Sequence, residues 1–315
     1  MINCEAVDRL AFLRISKRKC GWPVRPEALA AEMSRISKGI ARKVSPLGDP
    51  GLEIGVYESN YRLLKLMEWT HMSNIYDAQD RRTGQRVVIK EAKSERFIPG
   101  IQREAQILKD LQHPNIVKCL ASGRFFLILE HLGRTRLANL KLAEEEALVL
   151  AFELVGLLKH IHQKQYVYRD FNDFNVMVTS EGKVKLLDFG LTKGPGEEDL
   201  YDRGFFGTPE FAAPEVVSEG AHQATLRSDM FSLGAILYKM LTGKLIWNRP
   251  ISVDFQGWVK VPFPATGKIL TKKWSRLLTL RCRPILEALL QREPEKRLTD
   301  HDELQRMILK ALFLD

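Results

Sequence analysis

Apolar side chains alternate with short turns through residues 61–91 and then recur at helical spacing from residue 99 onward. That switch of period confines the chain to a sheet followed by helices. The turn "RRTGQR" leads into the strand "RVVIKEA", where Val88 and Lys90 share one face and Val87 and Ile89 the other. Over 99–111, Ile101, Glu104, Ala105, Leu108 and Leu111 fall on one side of a helix. A carboxylate on such an apolar face needs a partner, and Lys90 on the strand just before is the natural counter-ion for Glu104. The blander alternative is a helix-edge acid reaching water. After the apolar strand "RFFLILEHLG", helices dominate: 143–162 is apolar on nearly all sides, and so is 229–242, with Ser228 as N-cap and Gly243 as stop. A strand-rich first part and a helix-rich second part predict two lobes with a crevice between them.

Residues 1–57 read as a basic extension, with ten Lys or Arg against six Asp or Glu. Leu29, Met33, Ile36 and Ile40 make one apolar stripe on a helix there, before "SPLGDPGLEIG" breaks the pattern. The stripe suits packing on the main domain; an acidic partner or a membrane surface is the alternative. The net charge of +9 is spread along 315 residues, and no nucleic-acid signature accompanies it, so no nucleic-acid partner is expected. Four scattered cysteines without a CxxC pair argue against zinc and a disulfide framework. Neither a secretory segment nor an apolar run of spanning length is present, so a soluble, cytoplasmic protein is expected.

A phosphate-bearing nucleotide needs a cation on its phosphates, oxygen ligands for magnesium, and a carboxylate to orient the attacking hydroxyl. Lys90 supplies the first, Asn175 and Asp188 the second, and Asp170 the third. Asp170 and Asn175 lie in one loop, "YRDFNDFN" (168–175), and Asp188 in "LLDFG". Singly, each has an ordinary explanation as a turn former. In this order, together, they do not.

From residues 61 to 312 the chain resembles a eukaryotic-type protein kinase of the serine/threonine branch. The resemblance rests on "VVIK" (Lys90), "REAQIL" (Glu104), "HPNIVK", "YRDFNDFN", "DFG" (188–190), "GTPEFAAPE" (207–215), Asp229 in "SDMFSLG" and Arg297 in "EPEKRL". It implies an α+β, bilobal fold over 58–315. The N-lobe, 58–132, would be a small antiparallel sheet plus one helix, and the C-lobe, 133–315, mainly helical. It implies ATP and magnesium as cofactors and a protein as substrate. Lys90, held by Glu104, would meet the α- and β-phosphates; Asp170 would orient the hydroxyl; Asn175 and Asp188 would hold the metal. Leu129 would be the gatekeeper, Glu130 to Leu132 the hinge against adenine, and Ile75, Val88 and Met177 the walls around the base. Thr208 would bond Asp170, and Arg297 would pair with Glu215.

Four departures accompany the resemblance. Glu68, Thr70 and Ser73 stand where the family's phosphate-covering loop has glycines, and Glu68 adds a negative charge near a polyanion. Asn172 and Phe174 stand where the family's two branches keep a cation, a loss worth about 3 kcal/mol in the transition state. Tyr168 replaces a packing histidine, and Val88 replaces alanine. The segment between Thr192 and Thr208 has no Ser or Thr, so Glu198, Asp199 or Asp202 would stand in for a phosphate opposite Arg169, with Tyr201 as the alternative trigger. Two other readings follow from the departures: a pseudokinase scaffold or allosteric partner, and a small-molecule kinase of the same fold.

Overall fold

The computed structural model describes residues 26–41, 43, 55–57, 60–69, 72–198, 206–246, 252–253, 259–260 and 281–313. Thr70, Asp199, Tyr201 and Asp202 lie outside these, as do Cys4 and Cys20. The small lobe is an antiparallel sheet in the order β1-β2-β3-β4-β6-β5. Its strands are β1 Gly55–Tyr57, β2 Tyr61–Trp69, β3 Ser73–Asp80, β4 Arg86–Ala92, β5 Cys119–Ser122 and β6 Phe126–Glu130. The sheet therefore starts at Gly55, inside the stretch read as an extension, because Gly55 pairs with Leu63 and Tyr57 with Tyr61. Alternation on β4 divides the lobe as the sequence predicts. Val87 and Ile89 join Ala78 and Ile128 in a small outer core, while Val88 faces the main core.

Helix α2, Ile98–Asp110, crosses the inner face and buries Ile101, Glu104, Ala105, Ile107 and Leu108. Pro99 is tolerated in its first turn, where the missing N–H has no intrahelical acceptor. The large lobe is built around α3, Glu144–Gln163, which packs against α5 (Leu226–Thr242) and α7 (His301–Phe313). Acids fill the first turn of α3 and histidines its last, both favourable to the helix dipole. Between α3 and α5 lie a short hairpin, β7 Val176–Val178 with β8 Val184–Leu186, and α4, Pro214–Glu219; α6, Arg283–Leu289, packs behind α5.

One local expectation shifts. The N-cap of α5 is Thr225, whose side chain accepts Arg227 N at 3.2 Å, while Ser228 sits one turn in and accepts Thr225 N at 3.2 Å. Both hydroxyls of that box are used, and the helix starts earlier than Ser228 alone suggests. Gly243 ends it with φ 68°, a left-handed turn that suits glycine. The basic helix α1, Pro26–Ala41, lies on α3 of the large lobe, the packing on the main domain that its stripe suits. Ile36 and Ile40 of its stripe are buried there, and just beyond its end Lys43 ties to Glu146 of α3. Among the described residues no helix is long and apolar enough to cross a membrane.

Candidate active site

The crevice between the lobes gathers the residues singled out by the sequence. Lys90 Nζ lies 2.7 Å from Glu104 Oε2 and 3.0 Å from Asp188 Oδ1, so one ammonium is held between two carboxylates. Burial disfavours the charged lysine, but Asp188 and Glu104 outweigh it and hold its pKa above the ordinary range. The same burial pushes Glu104 up against the pull of Lys90, while at Asp188 the pull of Lys90 wins and the carboxyl falls below its usual range. Glu104 also accepts Phe189 N at 3.2 Å, linking α2 to the "DFG" turn.

The loop 168–175 is anchored from beneath. Asp229 of α5 accepts Tyr168 N at 2.8 Å and Arg169 N at 2.9 Å. This clamp holds Arg169 at φ 74°, and Asp188 stands at φ 48°; both are left-handed conformations that non-glycine residues avoid. Tyr168 is buried, stacks edge-on against Phe189 at 5.2 Å and donates its hydroxyl to Leu187 O, so it fills the packing role expected of it.

Asn172, 2% exposed, is the hub of the loop. Its Nδ2 donates to Asp170 O at 3.0 Å, Asp170 Oδ1 at 2.9 Å and Thr208 Oγ1 at 2.9 Å. Its Oδ1 accepts Phe174 N and Asn175 N, each at 3.0 Å. Thr208 donates to Asp170 Oδ1 at 2.9 Å, as the resemblance implied. Asn175 Nδ2 takes the other carboxylate oxygen at 2.9 Å. Burial raises the pKa of Asp170; the bonds from Thr208, Asn172 and Asn175 oppose that rise, and the Asp188 charge adds to it. Gly207 is needed where it stands: at φ 112°, a Cβ there would meet Asp170 Oδ1 at 3.3 Å.

Cross-strand register puts Ile75 opposite Lys90 and Val88 opposite Leu129, so these side chains share the inner face. Leu129 and Met177 are buried, and Leu132 packs on the main core. Glu130 differs from a side-chain ligand. Its carboxylate accepts Lys118 N at 2.7 Å and pairs with Lys185, and its own N–H donates to Lys118 O at 3.0 Å. Arg297 grips Glu215 with two 2.6 Å bonds in a buried fork.

Three features were not found by reading the sequence. Glu68 does not leave its charge unopposed: Arg136 Nη2, from beyond β6, meets it at 2.6 Å across the cleft. Arg103, beside Glu104 on α2, holds Glu197 Oε2 at 2.6 Å and Oε1 at 3.1 Å, and also bonds Thr192 O. Among the described residues, the acid held in the segment is Glu197 rather than the exposed Glu198, and its first partner is Arg103, with Arg169 adding to the field. Finally Asp77, fully buried on β3, is held by Arg86 at the sheet's inner face. Partners 68 or 94 positions apart leave no periodic trace, and the acids that the sequence offered in this segment were Glu198, Asp199 and Asp202, not Glu197.

The donors suit magnesium. Asp188 keeps 42% of its side chain open to the cleft, and with Nδ2 of Asn175 committed to Asp170, its Oδ1 accepts no bond from a described residue. Among the described residues no three His, Cys, Asp or Glu side chains cluster to hold a metal alone. Magnesium shared with substrate phosphates needs no such cage.

Comparison with known proteins fits this geometry. The protein kinase domain profile matches residues 70–310. Over 296 residues the chain is 27% identical to a probable serine/threonine-protein kinase PknB of Lactococcus lactis, covering 81% of this chain and 47% of that protein. It is 30% identical over 209 residues to the serine/threonine-protein kinase PrkC of Bacillus subtilis, covering 62% and 32%. It is 35% identical over 206 residues to ribosomal protein S6 kinase alpha-6 of Danio rerio, covering 62% and 26%. The chain spans less than half the length of each of these relatives.

Proposed function

The chain belongs to the protein kinase family, and on that premise we propose that it transfers the γ-phosphoryl group of ATP to serine or threonine hydroxyls of a protein. The observation that carries this reading is the joint placement of Lys90 between Glu104 and Asp188, with Asp170 held by Thr208 and Asn175. Ile75, Val88 and Met177 enclose the base, with Leu129 behind it and the backbone of 130–132 along its edge. Lys90 meets the α- and β-phosphates. Asn175 Oδ1 and Asp188 hold magnesium, which draws charge from the phosphate oxygens when bound. Asp170 accepts a hydrogen bond from the acceptor hydroxyl and takes its proton as the phosphoryl group moves. The exposed basic side chain of Lys38 on α1 offers a contact to an acidic partner, whereas Arg35 is already paired with Glu32.

The test is transfer of label from γ-labelled ATP with magnesium to a mixture of proteins, followed by phosphoamino-acid analysis. Label in serine and threonine that disappears in Asp170→Ala supports the reading. Nucleotide binding without any transfer would replace it with the pseudokinase alternative.

Two consequences follow for the charges found in the structure. Arg136→Ala should expose the Glu68 carboxylate to the triphosphate and raise KM for ATP by about fivefold, on the order of 1 kcal/mol, with kcat little changed. Adding Glu68→Gln should return most of the loss, and steady-state kinetics on the three variants reads both effects.

Glu197 serves as the fixed anion of the activation segment, tying it to α2 through Arg103. Protein made without an upstream kinase should therefore be active, and phosphatase treatment should not lower its rate. Glu197→Gln should cut that rate by about fivefold to tenfold by loosening α2, and Glu104 with it.

A further inference from the structure

Asp77 of β3 lies in register with Val88 and, through it, Leu129, at the end of the sheet that leads into 130–132. Only 1% of its side chain is exposed. Arg86 of β4 bonds both carboxylate oxygens, with Nε 2.8 Å from Oδ1. That pair accounts for an acid inside the sheet. Two further groups face the same carboxylate from beyond β6. His131 Nε2 lies 3.6 Å from Oδ1, and Arg134 Nη2 lies 3.6 Å from Oδ2. One buried acid of the small lobe thus meets the residues on either side of Leu132 and Gly133.

His131 has 2% of its side chain exposed and turns its other nitrogen onto its own backbone. Nδ1 accepts Gly133 N at 3.2 Å, closing the chain around Leu132, and Gly133 completes that turn at φ 86°. A neutral imidazole whose Nδ1 accepts carries its proton on Nε2. Nε2 is buried and has no hydrogen-bond partner among the described residues; what faces it is the Asp77 carboxylate. That negative charge favours a proton at Nε2, whereas Arg86 and Arg134 favour a bare nitrogen there. Burial lowers the pKa of His131; Asp77 opposes the fall, and Arg86 and Arg134 add to it, so the ring is neutral at neutral pH and Nδ1 can accept.

Resting on the nucleotide placement in the reading above, we propose that Asp77 is a positioning residue for the adenine: its charge keeps the His131 proton on Nε2, so that Nδ1 holds Gly133 N and sets the backbone of Leu132 against the base. Without that charge the proton moves to Nδ1, where it faces the N–H of Gly133, and the turn loses its closing bond. Asp77 touches neither nucleotide nor acceptor in that reading and acts through His131 alone.

The experiment is a double-mutant cycle on the full chain, read as the dissociation constant for magnesium–ATP and as kcat. Asp77→Asn keeps the shape of the side chain and removes its charge. It should raise the dissociation constant about fivefold, the order of one lost hydrogen bond, and change kcat by less than about twofold. His131→Asn supplies a carbonyl oxygen that accepts Gly133 N whatever the charge at position 77. It should bind within about twofold of wild type, and adding Asp77→Asn to it should cost less than about twofold more. Because Asp77→Asn leaves Arg86 without its ion pair, the cycle is repeated with Asp77→Leu and Arg86→Met together, which fill the site with apolar bulk. The same two steps are expected. Unchanged affinity in both Asp77 variants, or an equal loss with and without His131→Asn, would overturn the inference while leaving the transfer reading intact. The expected affinity losses with no transfer by the wild type would overturn the transfer reading alone. A wild type that binds no magnesium–ATP would overturn both.

Discussion

Lys90→Met should bring phosphoryl transfer down by at least about a hundredfold and destabilise the small lobe at neutral pH. The rate falls because the cation aimed at the phosphates is gone, a preorganised interaction worth 10²–10³ in similar sites. Stability falls because Glu104 and Asp188 are left facing each other without the ammonium between them, and breaking a buried pair this way costs about 3–5 kcal/mol. The pH dependence has a definite sign. Burial and Asp188 already raise the pKa of Glu104, and without Lys90 it must rise further. A carboxyl whose folded pKa lies above its unfolded value costs stability above that pKa and regains it on protonation. The Lys90→Met protein should therefore lose most stability against wild type near neutral pH and less as pH falls toward 5. Denaturant titrations at several pH values measure that convergence.

The second large effect belongs to Asn172→Asp. This change keeps the shape of the side chain and both bonds to Phe174 N and Asn175 N, so the loop keeps its turn. It replaces the donor that lies 2.9 Å from Asp170 Oδ1 and from Thr208 with a carboxylate oxygen. Two carboxylates at such a distance resist joint ionisation, and the pKa of the pair is driven upward. Asp170 must be ionised to take the hydroxyl proton, so a higher pKa leaves less active enzyme at a given pH. The acid limb of kcat should move up by about one unit or more, and kcat on that limb should fall by about tenfold for each unit of the move. An unchanged acid limb would mean that Asn172 does not set the state of Asp170.

The role of Asn172 also shows where reading the sequence stops. Its position marks it as a missing cation beside the transferred phosphate. Only its contacts reveal a buried amide whose donor and acceptor ends are both spent on holding the loop. Lys90 and Glu104 were legible as a pair because each breaks an apolar pattern, one on a strand and one on a helix face. The buried fork between Arg297 and Glu215 followed from family resemblance alone, since 82 positions separate the two residues. Glu68 and Arg136 had neither advantage. Both are partly exposed charges in irregular surroundings, and their pairing depends on how the two lobes meet across the cleft. Between Glu197 and Glu198, composition announces an anion but cannot choose. Arg103, placed by α2, holds Glu197. The start of α5 shifted for a similar reason: Thr225 and Ser228 are both good capping residues, and the reciprocal bonds between them use both.

The central claim is that the crevice performs chemistry and does not merely bind nucleotide. Measuring magnesium–ATP affinity and single-turnover transfer side by side, for wild type and Asp170→Ala, tests it most directly. The two proteins should bind magnesium–ATP with dissociation constants within about threefold, while transfer in the variant falls by about 10²–10⁴, the range of a positioned acid–base group. Equal affinities with no transfer by the wild type, or transfer that survives in Asp170→Ala, would contradict the claim.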